Sequence, residues 1–279
     1  MKQGFITTSW DDGHPLDLRL AELLAKYDLH ATFYIPRTSD RPTMGPTEIR
    51  DLSSRFEIGA HTLRHIDLSS VDDQTARQEI AGSKNWIEEV TGMPCEMFCP
   101  PKGKFRREHL SMIRDAGYTG ARTVELLSIS PPRRKENLML MPTTLQAHPH
   151  SRAAYARNIS KRFAIRNLWL YITHGGRVDW LHLTDSLAHC VVHRGGVFHL
   201  WGHSWELEEA GQWRRLEEAL RMLRDVSQSI PSRTNGQLCR EFLNCSDPRS
   251  RPYRAISPAS SGTAAPPNHS SPPREPTHY

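Results

Sequence analysis

The chain of 279 residues lacks any apolar run approaching the ~18 residues that cross a bilayer, which excludes a transmembrane reading. It is also poor in cysteine. Cys95, Cys99, Cys190, Cys239 and Cys245 are too few for a disulfide-stapled scaffold of this length, and none belongs to a Cys-x-x-Cys pair. They read as reduced thiols. The opening residues, MKQGFITTSWDDG, contain no apolar stretch of signal-peptide length and no small-residue cleavage site, so a cytoplasmic protein is expected. An excess of one charge is missing too: 36 Lys and Arg stand against 31 Asp and Glu, a net of +5. Six Arg against three acids between 228 and 279 place +3 of that in the carboxyl-terminal segment, so the rest implies no basic face and no nucleic-acid partner. No repeat at solenoid or propeller period is visible. Composition leaves the oligomeric state open.

What is present is enough apolar material, 37% of the residues, for one sizeable core. The last 52 residues differ from the rest: they hold nine of the 20 prolines and nine serines, and too few apolar side chains to offset the entropy of ordering them. The expected organisation is one domain over 1–227 and a disordered Pro/Ser-rich tail over 228–279. Within the domain, β-rich runs alternate with amphipathic segments. GFITTSW (4–10) predicts a strand, and Leu16, Leu20, Leu23, Leu24 and Tyr27 recur at helical spacing behind Pro15. ATFYI (31–35), EIGAH (57–61), MFC (97–99) and GGVFHLWG (195–202) read as further strands, with YTGART and LMLMP as weaker ones. Helices are expected over 47–56, 72–91, 106–116, 151–172, 177–193 and 206–228. Repeated βα units predict an α/β fold with a parallel sheet, open or closed into a barrel, whose chemistry sits at the carboxyl ends of the strands.

That rule picks out particular residues. Asp11 and Asp12 follow the first strand, and Gly13 supplies a tight turn. Adjacent carboxylates repel, so at a strand end they suggest a metal ligand beside a free base, or a solvated turn with an Asp helix cap. His61 and His65 have the His-x3-His spacing that, on a helical turn, puts both imidazoles on one face; two His and one carboxylate form the ligand set of a catalytic zinc or related divalent site. Two polar side chains with no shared ligand are the alternative. FCPPKGKF makes a rigid loop whose backbone N–H groups can face the same site. His203, at another strand end, can protonate a leaving group or be a hydrogen-bonded structural histidine. Trp10, Trp201 and Trp205 lie beside these motifs and can stack on a sugar ring or fill the core.

TSWDDG (8–13), HTLRH (61–65), CPPKG (99–103) and LWGH (200–203), in this order, resemble motifs one, two, three and five of the polysaccharide deacetylases, the NodB-homology or carbohydrate esterase family four. The resemblance covers roughly residues 4–228. It implies a distorted (β/α)7 barrel and metal-dependent removal of acetyl groups from an N-acetylated carbohydrate. By position it makes Asp11 the catalytic base and His203 the general acid, and it makes Asp12, His61 and His65 the ligands of one divalent ion, Zn2+ first and Co2+ or Mn2+ next. Pro101, Lys102, Gly103 and Trp201 would meet the substrate, the backbone N–H of Lys102 helping to hold the oxyanion.

Two departures stand out. The family's third motif usually reads Arg-Pro-Pro-Tyr-Gly, its Arg orienting the catalytic Asp, whereas Cys99 and Lys102 stand here at the Arg and Tyr positions. A thiol cannot make a bidentate carboxylate contact. Either another cation, such as Lys102 or Lys104, takes that role or the base is poorly held. The family's fourth motif, an Asp pair followed by Trp, has only Asp179-Trp180 as a near match. A non-catalytic glycan-binding relative and a metal-independent C–N hydrolase of the same fold are the alternative readings.

Overall fold

The computed structural model describes residues 3–151 and 179–245. The helix expected over 151–172 lies almost entirely outside them. In chain order the elements are β1 (Gly4–Asp11), α1 (Asp17–Lys26), β2 (Ala31–Ile35), α2 (Pro46–Ser53), β3 (Glu57–Ala60), α3 (Asp73–Thr91), β4 (Met97–Phe98), α4 (Arg107–Asp115) and β5 (Gly120–Arg122). There follow β6 (Arg133–Lys135), β7 (Leu138–Met141), β8 (Leu145–Gln146), α5 (Trp180–Arg194), β9 (Gly196–Gly202), α6 (Ser204–Glu209), α7 (Trp213–Ser227) and α8 (Asn235–Cys245).

The strands form one sheet in the order β6-β7-β5-β4-β3-β2-β1-β9-β8, parallel except where β6 meets β7. The expected α/β architecture with a largely parallel sheet is what is found, as a curled half-barrel whose described edges are β6 and β8. Strand alternation divides its residues between two cores. Ile6, Trp10, Phe33, Ile35, Phe198 and Leu200 join the cluster that includes the helices, while Phe5, Tyr34, Met97, Met139, Met141 and Val197 form a second cluster within the curl. Burial on both faces explains why these strands read as nearly unbroken apolar runs.

The inner core is closed from below by a segment assigned above to the tail. Residues 228–245 are part of the domain: Ile6 N donates to Pro231 O at 3.0 Å, Arg233 N donates to Ile6 O at 2.9 Å, and Leu238 and Cys239 of α8 are fully buried in the inner cluster. Composition averaged over 52 residues hid this short apolar stretch. Polar pairs form a layer above it. Thr7 Oγ1 donates to Asn235 Oδ1 at 2.9 Å, Asn235 Nδ2 donates to Tyr34 Oη at 2.9 Å, and Ser9 Oγ lies 2.8 Å from His199 Nε2.

Two further differences are local. The helix expected over 206–228 is two helices, interrupted at Gly211, whose φ of 62° is left-handed. Asp179 caps α5, accepting from Leu181 N at 3.1 Å, and Trp180 is buried with its N–H on Gln212, so this dipeptide is a helix start and not a fourth motif. Among the described residues, no helix is long and apolar enough to cross a membrane.

Candidate active site

The carboxyl ends of β1, β3, β4 and β9 surround a cavity of about 470 Å3, lined by Asp11, Asp12, His61, His65, Lys102, Gly103, Val124, Leu126, Gln146, His150, Trp201, His203 and Trp205. Backbone strain is concentrated here. Asp12 (φ 80°), Thr62 (64°), His65 (52°) and Lys102 (58°) are non-glycine residues in the left-handed region, each at a cost of ~1–3 kcal/mol that a surrounding structure must impose. The left-handed turn at Asp12 sends consecutive carboxylates different ways. Asp11, the last residue of β1, points into the curl, and Asp12 faces the histidines of the β3 loop. His61 and His65 meet there through a turn with left-handed Thr62 and His65, not through the helical turn their spacing suggested.

Asp12 Oδ1 lies 3.5 Å from His61 Nε2 and 3.1 Å from His65 Nε2, and the ligand atoms of the three residues fall within 4.8 Å of one another. The donors fit a divalent cation. Asp12 Oδ1 is buried and accepts no hydrogen bond among the described residues, and His61 Nδ1 pairs with the Cys99 carbonyl at 2.6 Å, which fixes the ring with Nε2 toward the carboxylate. Burial pushes the Asp12 carboxyl up, but the close imidazoles of His61 and His65 and the charge of His203 win and hold it well below the ordinary carboxylate range.

The cation that sequence reasoning could not locate is Arg122. Its guanidinium, fully buried at the end of β5, donates Nη2 to Asp11 Oδ2 and lies 4.7 Å from the Trp201 ring centroid and 5.3 Å from that of Tyr34. Lys102 does not take this role, and Lys104 pairs with Asp67 at 3.0 Å. Asp11 Oδ1 has no hydrogen-bond partner among the described residues. One oxygen is thus anchored and the other is not. The signal for Arg122 was its place at a strand carboxyl end in YTGART, a strand too short to stand out.

His203 Nε2 lies 4.0 Å from Asp11 Oδ2 and 3.9 Å from Asp12 Oδ2, while its Nδ1 lies 2.7 Å from Glu206 Oε2. Burial lowers its proton affinity, but Glu206, Asp11 and Asp12 outweigh that and push its pKa up to about 9. Gln146 Nε2 steadies Glu206 at 2.8 Å. Glu206 belongs to no recognised motif, and its i+3 spacing from His203 was the available clue. Of the aromatic residues, Trp10 is fully buried on the helix side of the sheet, Trp201 packs at the cavity wall over Arg122, and Trp205 donates Nε1–H to Asp12 Oδ2 at 2.9 Å.

In the third-motif turn Pro101 is buried and does not line the cavity, whereas Lys102 and Gly103 do. The turn's own hydrogen bonds are donated by Gly103 N to Pro100 O at 3.0 Å and Lys104 N to Pro101 O at 3.2 Å. A side chain at Gly103 would put its Cβ 2.1 Å from Val124 Cγ2, so glycine fits best between this loop and the segment that follows β5.

A curled, largely parallel sheet bearing a carboxylate pair and three histidines at its strand ends defines a class by its fold, that of the polysaccharide deacetylases. The family resemblance drawn from the motifs holds: the family model described as polysaccharide deacetylase matches residues 1–121. A peptidoglycan-N-acetylglucosamine deacetylase from Bacillus cereus is 28% identical over 116 residues, 40% of this chain and 53% of that protein. An uncharacterised 30.6 kDa protein of Geobacillus stearothermophilus is 24% identical over 102 residues, 36% of this chain and 38% of that protein. The chain therefore matches about half or less of the length of these curated relatives. Among solved structures, a protein described as a polysaccharide deacetylase from Mycobacterium smegmatis aligns with TM-score 0.60 at 15% identity over 87% of this chain and 91% of its own. The chitin deacetylase of the fungus Colletotrichum lindemuthianum aligns with TM-score 0.55 at 15% identity, covering 86% and 88%. At these identities the structural likeness shows the fold.

Proposed function

We propose that this protein is a metal-dependent hydrolase that removes acetyl groups from an N-acetylated amino sugar or oligosaccharide, of which N-acetylglucosamine is the expected unit. The observation that carries the reading is convergence: Asp11, Asp12, His61, His65 and His203, from three separate strand ends, face one cavity in which Oδ1 of Asp11 and Oδ1 of Asp12 accept no hydrogen bond among the described residues. The named activities of the peptidoglycan-N-acetylglucosamine and chitin deacetylases support the substrate class.

Asp12, His61 and His65 would hold the cation. The chemistry a divalent ion supplies there is Lewis acidity, which polarises an acetyl carbonyl and acidifies water. The chain's own groups do the rest. Asp11, held by Arg122 through Oδ2, takes the proton of the attacking water on Oδ1. His203, its Nδ1 tied to Glu206, presents Nε2–H to the departing amine. The N–H of Lys102, in a left-handed turn at the cavity wall, would stabilise the oxyanion, a contact whose loss can cost ~10²–10³ in rate. Val124, Leu126 and Trp201 give the methyl group an apolar wall.

Elemental analysis of the purified protein beside H61A/H65A, together with acetate release from an N-acetylglucosamine oligosaccharide, tests this. About one divalent ion per chain is expected, lost together with acetate release in the double variant, while D11N keeps the ion and loses turnover. A protein that takes up no zinc, cobalt or manganese would overturn the metal-dependent reading. A metal-loaded protein that binds the sugar without releasing acetate would make it a non-catalytic glycan binder.

A further inference from the structure

The Asp12 carboxylate is the one candidate metal ligand whose two oxygens have separate fates. Oδ1 faces His61 and His65 and accepts no hydrogen bond among the described residues, and Oδ2 accepts the Trp205 indole N–H at 2.9 Å. Trp205 is itself held from both sides. The Arg41 guanidinium lies 3.4 Å from its ring centroid and is fixed by Glu209 at 2.8 Å, and the His203 ring packs on it with centroids 5.3 Å apart. A half-buried indole clamped in this way has little freedom, so its N–H direction is set before any ligand arrives.

We infer that Trp205 is a positioning residue for the metal centre: by occupying Asp12 Oδ2 it holds the carboxylate so that Oδ1 alone is presented to the cation beside His61 and His65. The inference rests on the metal-dependent reading above. A carboxylate free on both oxygens can rock about its Cβ–Cγ bond and must be ordered when the ion binds. With Oδ2 tied down, that ordering is already present in the folded chain. Outer-shell partners of metal ligands typically contribute 10–100-fold to affinity, and an indole N–H, a donor with no acceptor capacity, cannot compete for the cation.

The test compares zinc affinity of the full-length wild-type protein and W205F by competition with a chromophoric chelator. Phenylalanine keeps a ring beneath Arg41 while removing the donor and the smaller ring of the indole. The expected result is a zinc dissociation constant ~10–100-fold larger for W205F, with the melting temperature of the zinc-free protein within about 2 °C of wild type. A wild-type-like zinc affinity in W205F would overturn the role of Trp205 and leave the metal site standing. Absence of zinc binding in the wild-type protein would instead overturn the metal-dependent reading beneath it. Should W205F fail to fold, Trp205→Leu, which also lacks the donor, gives the same two outcomes. R41A, which leaves the N–H in place, separates loss of the donor from loss of the clamp: it should weaken zinc less than W205F does, and an equal or greater loss would assign the effect to packing.

Discussion

Replacing Arg122 by Met should damage the protein in two separable ways. The Arg122 side chain is fully buried and Asp11 is 4% exposed, so the variant leaves a nearly buried carboxylate of the cavity lining without its counter-charge. Breaking a buried ion pair from one side typically costs ~3–5 kcal/mol. For a domain of this size each kcal/mol moves the midpoint by ~2–4 °C, so R122M should melt roughly 6–20 °C below wild type. The second effect is on turnover. With Oδ2 released, Asp11 can rotate, and a misplacement of ~1 Å at a reacting group can cost ~10²-fold. R122K retains the charge but not the planar fork, and should fall between the two in both assays. The Cys99 thiol lies within 4.8 Å of an Asp11 oxygen, so a guanidinium grown from that position can reach the same carboxylate. C99R on the R122A background should therefore recover both melting temperature and acetate release relative to R122A alone. Thermal melting and acetate release at saturating substrate are the assays. A melting temperature for R122M within about 2 °C of wild type, or turnover within twofold, would refute the assignment of Arg122 as the group that holds Asp11.

In the metal-free protein, His203 should titrate near 9 by NMR, below which it is protonated, and E206Q should lower that value because it removes the carboxylate at Nδ1. The folded value exceeds the ordinary 6.5, so the stabilisation from this charge is complete below about 6.5 and lost as pH rises through about 9; a His203 titrating near 6.5 would contradict this. A chain ended after residue 227 removes the buried Leu238 and Cys239 and both backbone bonds to Ile6, and should lose its cooperative thermal transition; an unchanged melting curve would show α8 to be dispensable.

Much of this was written locally. The strand ATFYI was readable because β-branched and aromatic residues ran without interruption, and it occupies residues 31–35 as expected. Asp11, Asp12, His61, His65 and His203 were legible because each lies within a few residues of a recognisable strand end, and the α/β rule places strand ends together. The short strands β6 and β8, of three and two residues, carry no periodicity of their own and were not seen. Nor was α8, whose apolar residues have meaning only as a plug for the inside of the curl.

The sequence by itself determined the alternation of strands and helices, the turn residues such as Gly13 and Gly103, and the residue types at the strand ends, since all of these depend on neighbours in the chain. Only the tertiary structure decided how those residues are held. Arg122 belongs to a strand four places from β1 along the sheet, and 111 residues separate it from Asp11. Curling of the sheet carries it across the interior to the carboxylate that Cys99, just past the nearer strand β4, cannot hold. Trp205 reaches Asp12 across 193 residues in the same way. A contact across the inside of a curled sheet depends on strand register and curvature together, and no local stretch of sequence encodes either.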